Sequence, residues 1–185
     1  MVTVLASTTA VPELSDGLAR RRADGRQGGD GWRDGVLLLA DPSRPEQGEV
    51  VARLTGYLLP LADALGLCLA VGATIGQPGR ESLVPAITVF DGGSPRTTPA
   101  SLSTAELVVD VIDRGAPGGD RMGFYARWRV REVLTIDLDH RSLALHRSGT
   151  DGWEADGHSQ ILGFEVEADA LTSLRGHERM VWPAT

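Results

Sequence analysis

Lysine is absent from this sequence, and the chain contains a single cysteine. All 18 positive side chains are therefore arginine, which excludes any chemistry that requires a lysine amine. One cysteine excludes an intramolecular disulfide and a cysteine-rich zinc or iron–sulfur centre. Because Cys68 lies in an apolar stretch, we predict a buried and inert thiol there.

Long hydrophobic runs are also missing. No apolar segment approaches the length of a bilayer span, and the first residues lack a basic region followed by a long apolar stretch. We therefore expect no membrane partner, no secretory signal and a cytoplasmic location. The 185 residues, 42% of them hydrophobic, fit one globular domain. The net charge of −7 opposes nucleic-acid binding by the chain as a whole.

Several motifs that carry chemistry are absent as well. The sequence has no phosphate-binding glycine loop with its Lys, no G-x-S-x-G turn, no H-E-x-x-H helix and no EF-hand loop. The four histidines show no metal-ligand spacing (His140, His146, His158 and His177). Only His140 and His146 lie within a single predicted hairpin, and we expect these two to be exposed strand residues rather than metal ligands.

Hydrophobic patterning predicts many strands and few helices. A helix is predicted from about Val50 to Leu65, with Pro60 expected to kink or end it. A short helix over 121–128 has Asp120 as its N-cap, and a last helix covers 168–176. Strands are predicted at 36–40, 67–73, 83–90, 106–113, 133–139, 141–147 and 161–167. This order predicts an α+β fold with a mixed, mostly antiparallel sheet flanked by a few helices.

The domain plan follows from composition. A Gly-, Arg- and Asp-rich segment before residue 35 indicates a flexible lead-in over 1–34. A single domain is predicted over 35–176, with a tail over 177–185.

The segment from about Trp32 to Leu174 resembles a known family. The resemblance is carried by AELVVDVI, by D-R-x-x-x-Y-A-R-x-x-V-R-E-V-L-T-I-D over 120–137, and by RSLALHR and LGFEVEADAL. These pieces resemble the Uma-type (Uma-two) putative restriction endonucleases of the PD-(D/E)XK nuclease superfamily. The resemblance implies a restriction-endonuclease-like fold and metal-dependent phosphodiester hydrolysis, with Mg²⁺ or Mn²⁺ held by carboxylates.

Several family site positions are altered in this chain. The aspartate of the family's Pro-Asp pair corresponds to Ala86, after Pro85. The acid of the next strand corresponds to Asp110, and the helix lysine corresponds to Arg121, which cannot act as a base. An amino-terminal glutamate of the family corresponds to Gly31. The resemblance thus implies a remnant catalytic site of Asp110 and Arg121.

Few nearby acids are placed to replace the missing aspartate. Along extended strands, Asp91 is roughly 16 Å from Ala86, and Glu106 is about 13 Å from Asp110, which is too far to share one ion. Asp113 falls on the other face of its strand. Glu81 precedes the strand and is free to fold back, so that Asp110 with Glu81 is the metal-ligand pair to test.

Charge is unevenly distributed along the chain. Arginines outnumber acids over 114–131, which makes Arg121, Arg127 and Arg129 candidates for nucleic-acid binding, whereas a solvated surface is the alternative. Acids dominate from 151 to 169. This division favours a homodimer through charge complementarity, with ordinary solubility as the alternative.

Three functions remain open. The first is a catalytically impaired relative of these nucleases, kept as a binding or assembly module, with no cofactor and with DNA as a candidate partner. The second is an active, divergent endonuclease that uses Mg²⁺ or Mn²⁺. The third is a structural protein without a ligand.

Overall fold

Two β-sheets organise the described part of the chain. The computed structural model describes residues 2–5, 16, 19–20, 30–33, 36–39, 44–94, 96–98, 101–112 and 120–166. The strands are β1 (Val2–Leu5), β2 (Gly31–Arg33), β3 (Val36–Leu39), β4 (Leu67–Val71), β5 (Thr74–Gln77), β6 (Glu81–Leu83), β7 (Ile87–Asp91), β8 (Arg96–Thr98), β9 (Ser101–Leu102), β10 (Leu107–Ile112), β11 (Glu132–Asp137), β12 (Ser142–Gly149) and β13 (Gly152–Asp156). Helix α1 covers Pro45–Ala64 and helix α2 covers Arg121–Arg127.

The strands form one seven-stranded and one six-stranded sheet. Their orders are β1-β3-β2-β6-β5-β9-β8 and β13-β12-β11-β10-β7-β4. Strand β10 pairs with β11 in parallel, as does β5 with β9, and the other described pairs are antiparallel. The predicted α+β class with a mixed, mostly antiparallel arrangement is confirmed, although the strands divide into two sheets.

Helix α1 forms because its apolar residues recur every four positions. Val50, Leu54, Leu58 and Ala62 are buried along one face. The helix continues through Pro60, so the prediction that this proline ends the helix was wrong. The buried face extends on both sides of Pro60, and packing of that face offsets the hydrogen bond that a proline removes, a loss of about 3 kcal/mol.

The two faces of the six-stranded sheet are buried by different partners. Side chains of α1 pack on one face against Leu107 and Val109 of β10 in a first core cluster. The opposite face carries a second core cluster, in which Val108 packs with Phe124 and Tyr125 of α2. Residues of the seven-stranded sheet also join this second cluster (Ile75 and Leu83). Helix α2 therefore lies between β10 and the seven-stranded sheet.

The connection β10–α2–β11 positions the candidate site. Leu107 pairs with Glu132 and Ile112 with Asp137, so the two strands run in parallel over six residue pairs. Parallel neighbours require a crossover, and α2 lies within this one. The predicted strand over 106–113 and the predicted helix over 121–128 are confirmed within one or two residues.

The structure corrects two predicted strands. The segment 83–90 is divided, because β6 ends at Leu83 and β7 begins at Ile87, with Pro85 in the break; proline cannot donate to a strand ladder. No strand forms over 161–166, the described part of the predicted strand 161–167; an isolated bridge joins His158 and Glu165 instead.

Several short strands were not predicted because their sequences carry no clear strand pattern. Strands β5 and β6 are four and three residues long, too short for a visible alternation. Strand β13 lies in an acidic, glycine-containing segment, and its pairing with β12 forms it.

Cys68 is exposed, contrary to the prediction of a buried thiol. It lies on β4, which is at one end of the six-stranded sheet. Leu67 and Leu69 point toward α1 and pack against the first core cluster, so Cys68 points to the other face. An apolar stretch on an outer strand thus has only one buried side.

Some predictions fall on residues outside the described set. The predicted helix over 168–176 and the tail over 177–185 lie there. The domain limits of 1–34 and 35–176 stay predictions. Strands β1 and β2 lie within 1–34, the segment that was predicted to be a flexible lead-in. Among the described residues, no helix combines the length and apolarity needed to cross a bilayer.

Two leucines of α1 provide a matched test of this packing. Leu54 is 2% exposed and Leu59 is 40% exposed. We expect Leu54→Ala to lower the free energy of unfolding by about 3 kcal/mol, because it leaves a cavity in the first core cluster. Leu59→Ala should change it by less than about 1 kcal/mol. Urea unfolding of both variants measures the difference, and equal losses would contradict the assigned helix face.

Candidate functional site

The buried carboxylate of Asp110 is the centre of the candidate site. Asp110 is the fourth residue of β10 and is 4% exposed. Side chains alternate along a strand, so Asp110 shares the face of Val108 and not that of Val109. Val108 packs with residues of α2. The carboxylate therefore lies on the face covered by α2.

Helix α2 begins with a side-chain cap. The Oδ1 atom of Asp120 accepts a hydrogen bond from the backbone N–H of Gly123 at 2.6 Å, which confirms the predicted N-cap. A Cβ atom at position 123 would lie 1.7 Å from Asp120 Oδ2, so only glycine allows this close approach. The cap sets where the helix starts and thus where Arg121 and Tyr125 emerge.

A tryptophan side chain forms a hydrogen bond with the backbone of α2. The Nε1 atom of Trp153, on β13, donates a hydrogen bond to the backbone oxygen of Met122 at 2.9 Å. This carbonyl is in the first turn of α2, and the indole joins it to the far end of the six-stranded sheet. Sequence reasoning gave Trp153 no role, because its partner is 31 residues away and is a backbone atom.

Arg121 and Tyr125 both contact the Asp110 carboxylate. Arg121 donates through Nη2 to Asp110 Oδ1 at 2.6 Å and through Nε to Oδ2. The Tyr125 hydroxyl donates to Oδ2 at 3.0 Å and accepts from Arg121 Nη2 at 3.4 Å. The two side chains are four residues apart and so share one face of α2. We call Asp110, Arg121 and Tyr125 the carboxylate cluster.

Protonation in the carboxylate cluster is fixed by its surroundings. Burial alone would lower the pKa of Arg121, but the charge of Asp110 and the hydrogen bonds together raise this pKa above its ordinary value. Burial raises the pKa of Tyr125, and the Asp110 charge adds to the effect. At neutral pH the guanidinium therefore stays charged and the phenol keeps its proton. Neither group can accept a proton as a base.

Ala86 lies just before β7. The pairing of β7 with β10 ends at Ile87 and Val109, one residue short of Ala86 and Asp110. The Ala86 side chain packs against the first core cluster, on the α1 face of the sheet, whereas Asp110 lies on the face covered by α2. Ala86 carries only a methyl group and therefore adds no oxygen donor to the carboxylate cluster.

Thr88 of β7 has a buried hydroxyl without a hydrogen-bond partner among the described residues. It is fully buried on the face of Val108, and its Oγ1 atom has no hydrogen-bond partner among the described residues. An unpaired buried hydroxyl costs about 1–3 kcal/mol. Sequence reasoning missed Thr88, because neither its burial nor its lack of a partner has a local signal.

Gly31, which the family resemblance aligned with a glutamate, has no room for a side chain. A Cβ atom at this position would lie 2.7 Å from the backbone oxygen of Ser82 in β6. Strand β2 pairs with β6 here, through Trp32 and Ser82. This position therefore adds no carboxylate to the site.

Glu81 and Asp110 pair with arginines at opposite ends of α2. Its carboxylate forms an ion pair with Arg127, the last residue of α2. Asp110 is joined to Arg121, six residues earlier, which is a rise of about 9 Å along a helix. Among the described residues, no group of three His, Cys, Asp or Glu side chains comes together as a metal site.

The three arginines predicted to bind nucleic acid lie in three different surroundings. Arg121 is in the carboxylate cluster, and Arg127 is paired with Glu81. Arg129 is exposed beyond the end of α2, at a positive φ of 53°. Their assignment to nucleic-acid binding stays a prediction.

Comparisons with known proteins agree with the observed fold. A crystal structure of a putative nuclease belonging to DUF820, from Anabaena variabilis ATCC 29413, superposes with a TM-score of 0.57. It is 11% identical and covers 78% of this chain and 90% of its own, so the likeness concerns the fold. No curated protein matches. The family model Uma2, described as putative restriction endonuclease, matches residues 32–176. The chain therefore belongs to the Uma2 family of putative restriction endonucleases.

Proposed function

We propose that this protein is a catalytically impaired member of its nuclease family that serves as a binding module. The observation that supports this proposal is the bidentate pairing of the Arg121 guanidinium with the Asp110 carboxylate. The family name supplies the ancestral reaction, phosphodiester hydrolysis, and the side chains present argue against that reaction here.

The oxygen donors present do not fit a magnesium ion. Mg²⁺ prefers six oxygen ligands at 2.0–2.1 Å and is held by one or two carboxylates with waters or phosphates. Both oxygens of Asp110 already accept hydrogen bonds from Arg121. Glu81 is paired with Arg127, and Ala86 and Gly31 carry no donor. We therefore assign no metal to the carboxylate cluster.

The guanidinium supplies the charge that a metal ion would otherwise supply. A buried carboxylate needs a cation or several hydrogen-bond donors, because desolvation of an unpaired charge is unfavourable. Arg121 meets both needs in one side chain, and it stays protonated at every physiological pH. The cluster thus balances its charges without an ion, and Arg121, which the resemblance aligns with the family's lysine, cannot take a proton from water.

Binding has better support than assembly through charge complementarity. The acidic segment that favoured a homodimer includes Glu154 and Asp156, and both already lie 3.4 Å from Arg147 in the same chain. Their charges are partly balanced before a second copy arrives. Homodimer formation and DNA binding are both compatible with the proposed function.

A plasmid-nicking assay tests the loss of activity. Wild-type protein with Mg²⁺ or Mn²⁺ should leave supercoiled plasmid intact, because Asp110 has no second oxygen donor with which to hold the ion. Asp110→Ala is the matched control for a contaminating nuclease. Metal-dependent nicking by the wild type that disappears in Asp110→Ala would refute the proposal and favour an active, divergent endonuclease.

Restoring the missing groups gives a complementary test. Ala86→Asp combined with Arg121→Lys returns an acid and a lysine to the two positions where the family resemblance expects them, and it removes the bidentate guanidinium. We expect Mn²⁺ binding at least about tenfold tighter than in the wild type, measured by electron paramagnetic resonance. Each single variant should gain less, since each keeps one defect. Mn²⁺ binding by the wild type equal to that of the double variant would contradict our assignment.

The carboxylate cluster should also stabilise the fold. Arg121→Met leaves Asp110 buried with the Tyr125 hydroxyl as its remaining partner in the cluster, and we expect a loss of about 3 kcal/mol in the free energy of unfolding. Arg53→Ala on α1 removes a more exposed ion pair with Glu49 and should change it by less than about 1 kcal/mol. Urea unfolding measures both, and similar small losses would mean that the Arg121 pair is not a structural substitute for an ion.

A further inference from the structure

A cavity of about 300 Å³ opens beyond the carboxyl end of α2. Its walls come from the turn after α2, from the first residue of β11, from β12 and from the loop near residue 160. Three arginines line it (Arg129, Arg131 and Arg147). The carboxylate cluster lies under the first turn of α2, so this cavity, which we call the arginine pocket, is a separate site.

Three guanidinium groups around one cavity are unusual in a chain of net charge −7. Like charges repel, so their convergence is unfavourable unless an anion or acidic neighbours compensate for it. The described neighbours compensate in part. Arg131 pairs with Glu106 at 2.7 Å, and Arg147 lies 3.4 Å from each of two acids.

These pairings leave hydrogen-bond donors available. A guanidinium has five N–H donors in a planar fork. The described contacts use one nitrogen of Arg131 and two of Arg147. For the Arg129 side chain, the described residues provide no ion pair or hydrogen bond. The pocket therefore has unused donors from three different elements of the fold.

The backbone sets where Arg129 lies relative to α2. Helix α2 ends with a hydrogen bond from Val130 N to Tyr125 O at 3.0 Å, and Arg129 has a φ of 53°. This pattern is a helix ending whose left-handed position favours glycine. An arginine there is less favourable than glycine for the backbone, so replacing Arg129 by glycine should not destabilise the fold.

A buried network keeps the pocket preformed. Glu132 is 1% exposed, and its two carboxylate oxygens accept hydrogen bonds from Ser159 Oγ at 2.5 Å and from Gln160 N at 2.7 Å. These bonds fix the loop that carries Gln160 and Ile161, which are part of the wall. Both Glu132 oxygens are thus engaged by that loop.

We propose that the arginine pocket binds a phosphate group. Arginine is the side chain best suited to phosphate oxygens, because its fork matches their geometry and it cannot lose its proton. The volume admits a mononucleotide, so the ligand is either a free nucleotide or a phosphate of a nucleic-acid backbone. This inference goes beyond the loss of catalysis and does not depend on whether Asp110 holds a metal.

The test compares Arg129→Gly with Arg53→Ala, because each removes one positive charge. Isothermal titration at about 50 mM salt uses inorganic phosphate, adenosine monophosphate and short single- and double-stranded DNA as probes. We expect wild-type protein and Arg53→Ala to bind at least one probe equally, and Arg129→Gly to bind it at least about tenfold more weakly.

Thermal unfolding separates binding from folding in the same variants. Arg129→Gly should raise Tm by about 2 °C, since glycine suits the left-handed position, so weaker binding cannot be due to unfolding. Arg131→Ala is the second pocket variant and should also weaken binding.

The probes identify the source of the phosphate. Binding of the mononucleotide that DNA does not exceed indicates a free nucleotide. Tighter binding of DNA, with a salt dependence reduced by about one unit in Arg129→Gly, indicates a nucleic-acid backbone. No binding of any probe by the wild type, or equal binding by Arg129→Gly and Arg53→Ala, would overturn the proposal.

Discussion

The pairing of Arg121 with Asp110 is the interaction on which the structure of the candidate site depends. Asp110 is 4% exposed, and burial of a carboxylate is unfavourable unless a cation or several hydrogen-bond donors accompany it. The Arg121 guanidinium provides both through two hydrogen bonds. Under the proposed function, this guanidinium takes the place of a divalent ion.

Helix α2 connects the two sites of the protein. Its first turn presents Arg121 to Asp110, and the turn after its last residue presents Arg129 to the arginine pocket. The helix is short. It begins at the Asp120 cap and is followed by Arg129 in a left-handed backbone conformation. The carboxylate cluster and the candidate anion site therefore lie near opposite ends of one short helix.

Local patterns predicted the elements that carry the carboxylate cluster. The β-branched run around Asp110 identified β10, and Asp120 before an apolar periodic segment identified α2 with its cap. Prediction was weaker where pairing decides the structure. Strands β5, β6 and β13 are short or acidic, Pro60 lies inside a helix, and Cys68 is on an outer strand.

The sequence by itself determined the chemistry that this protein lacks. Because the chain contains no lysine, no site in it can use a lysine amine, whatever the fold. The tertiary structure decided which of the remaining charges meet. It joined Glu81 to Arg127 and collected Arg129, Arg131 and Arg147 around one cavity. The reason is that residue type is local, whereas the partner of a charged side chain depends on strand register and helix packing between distant segments.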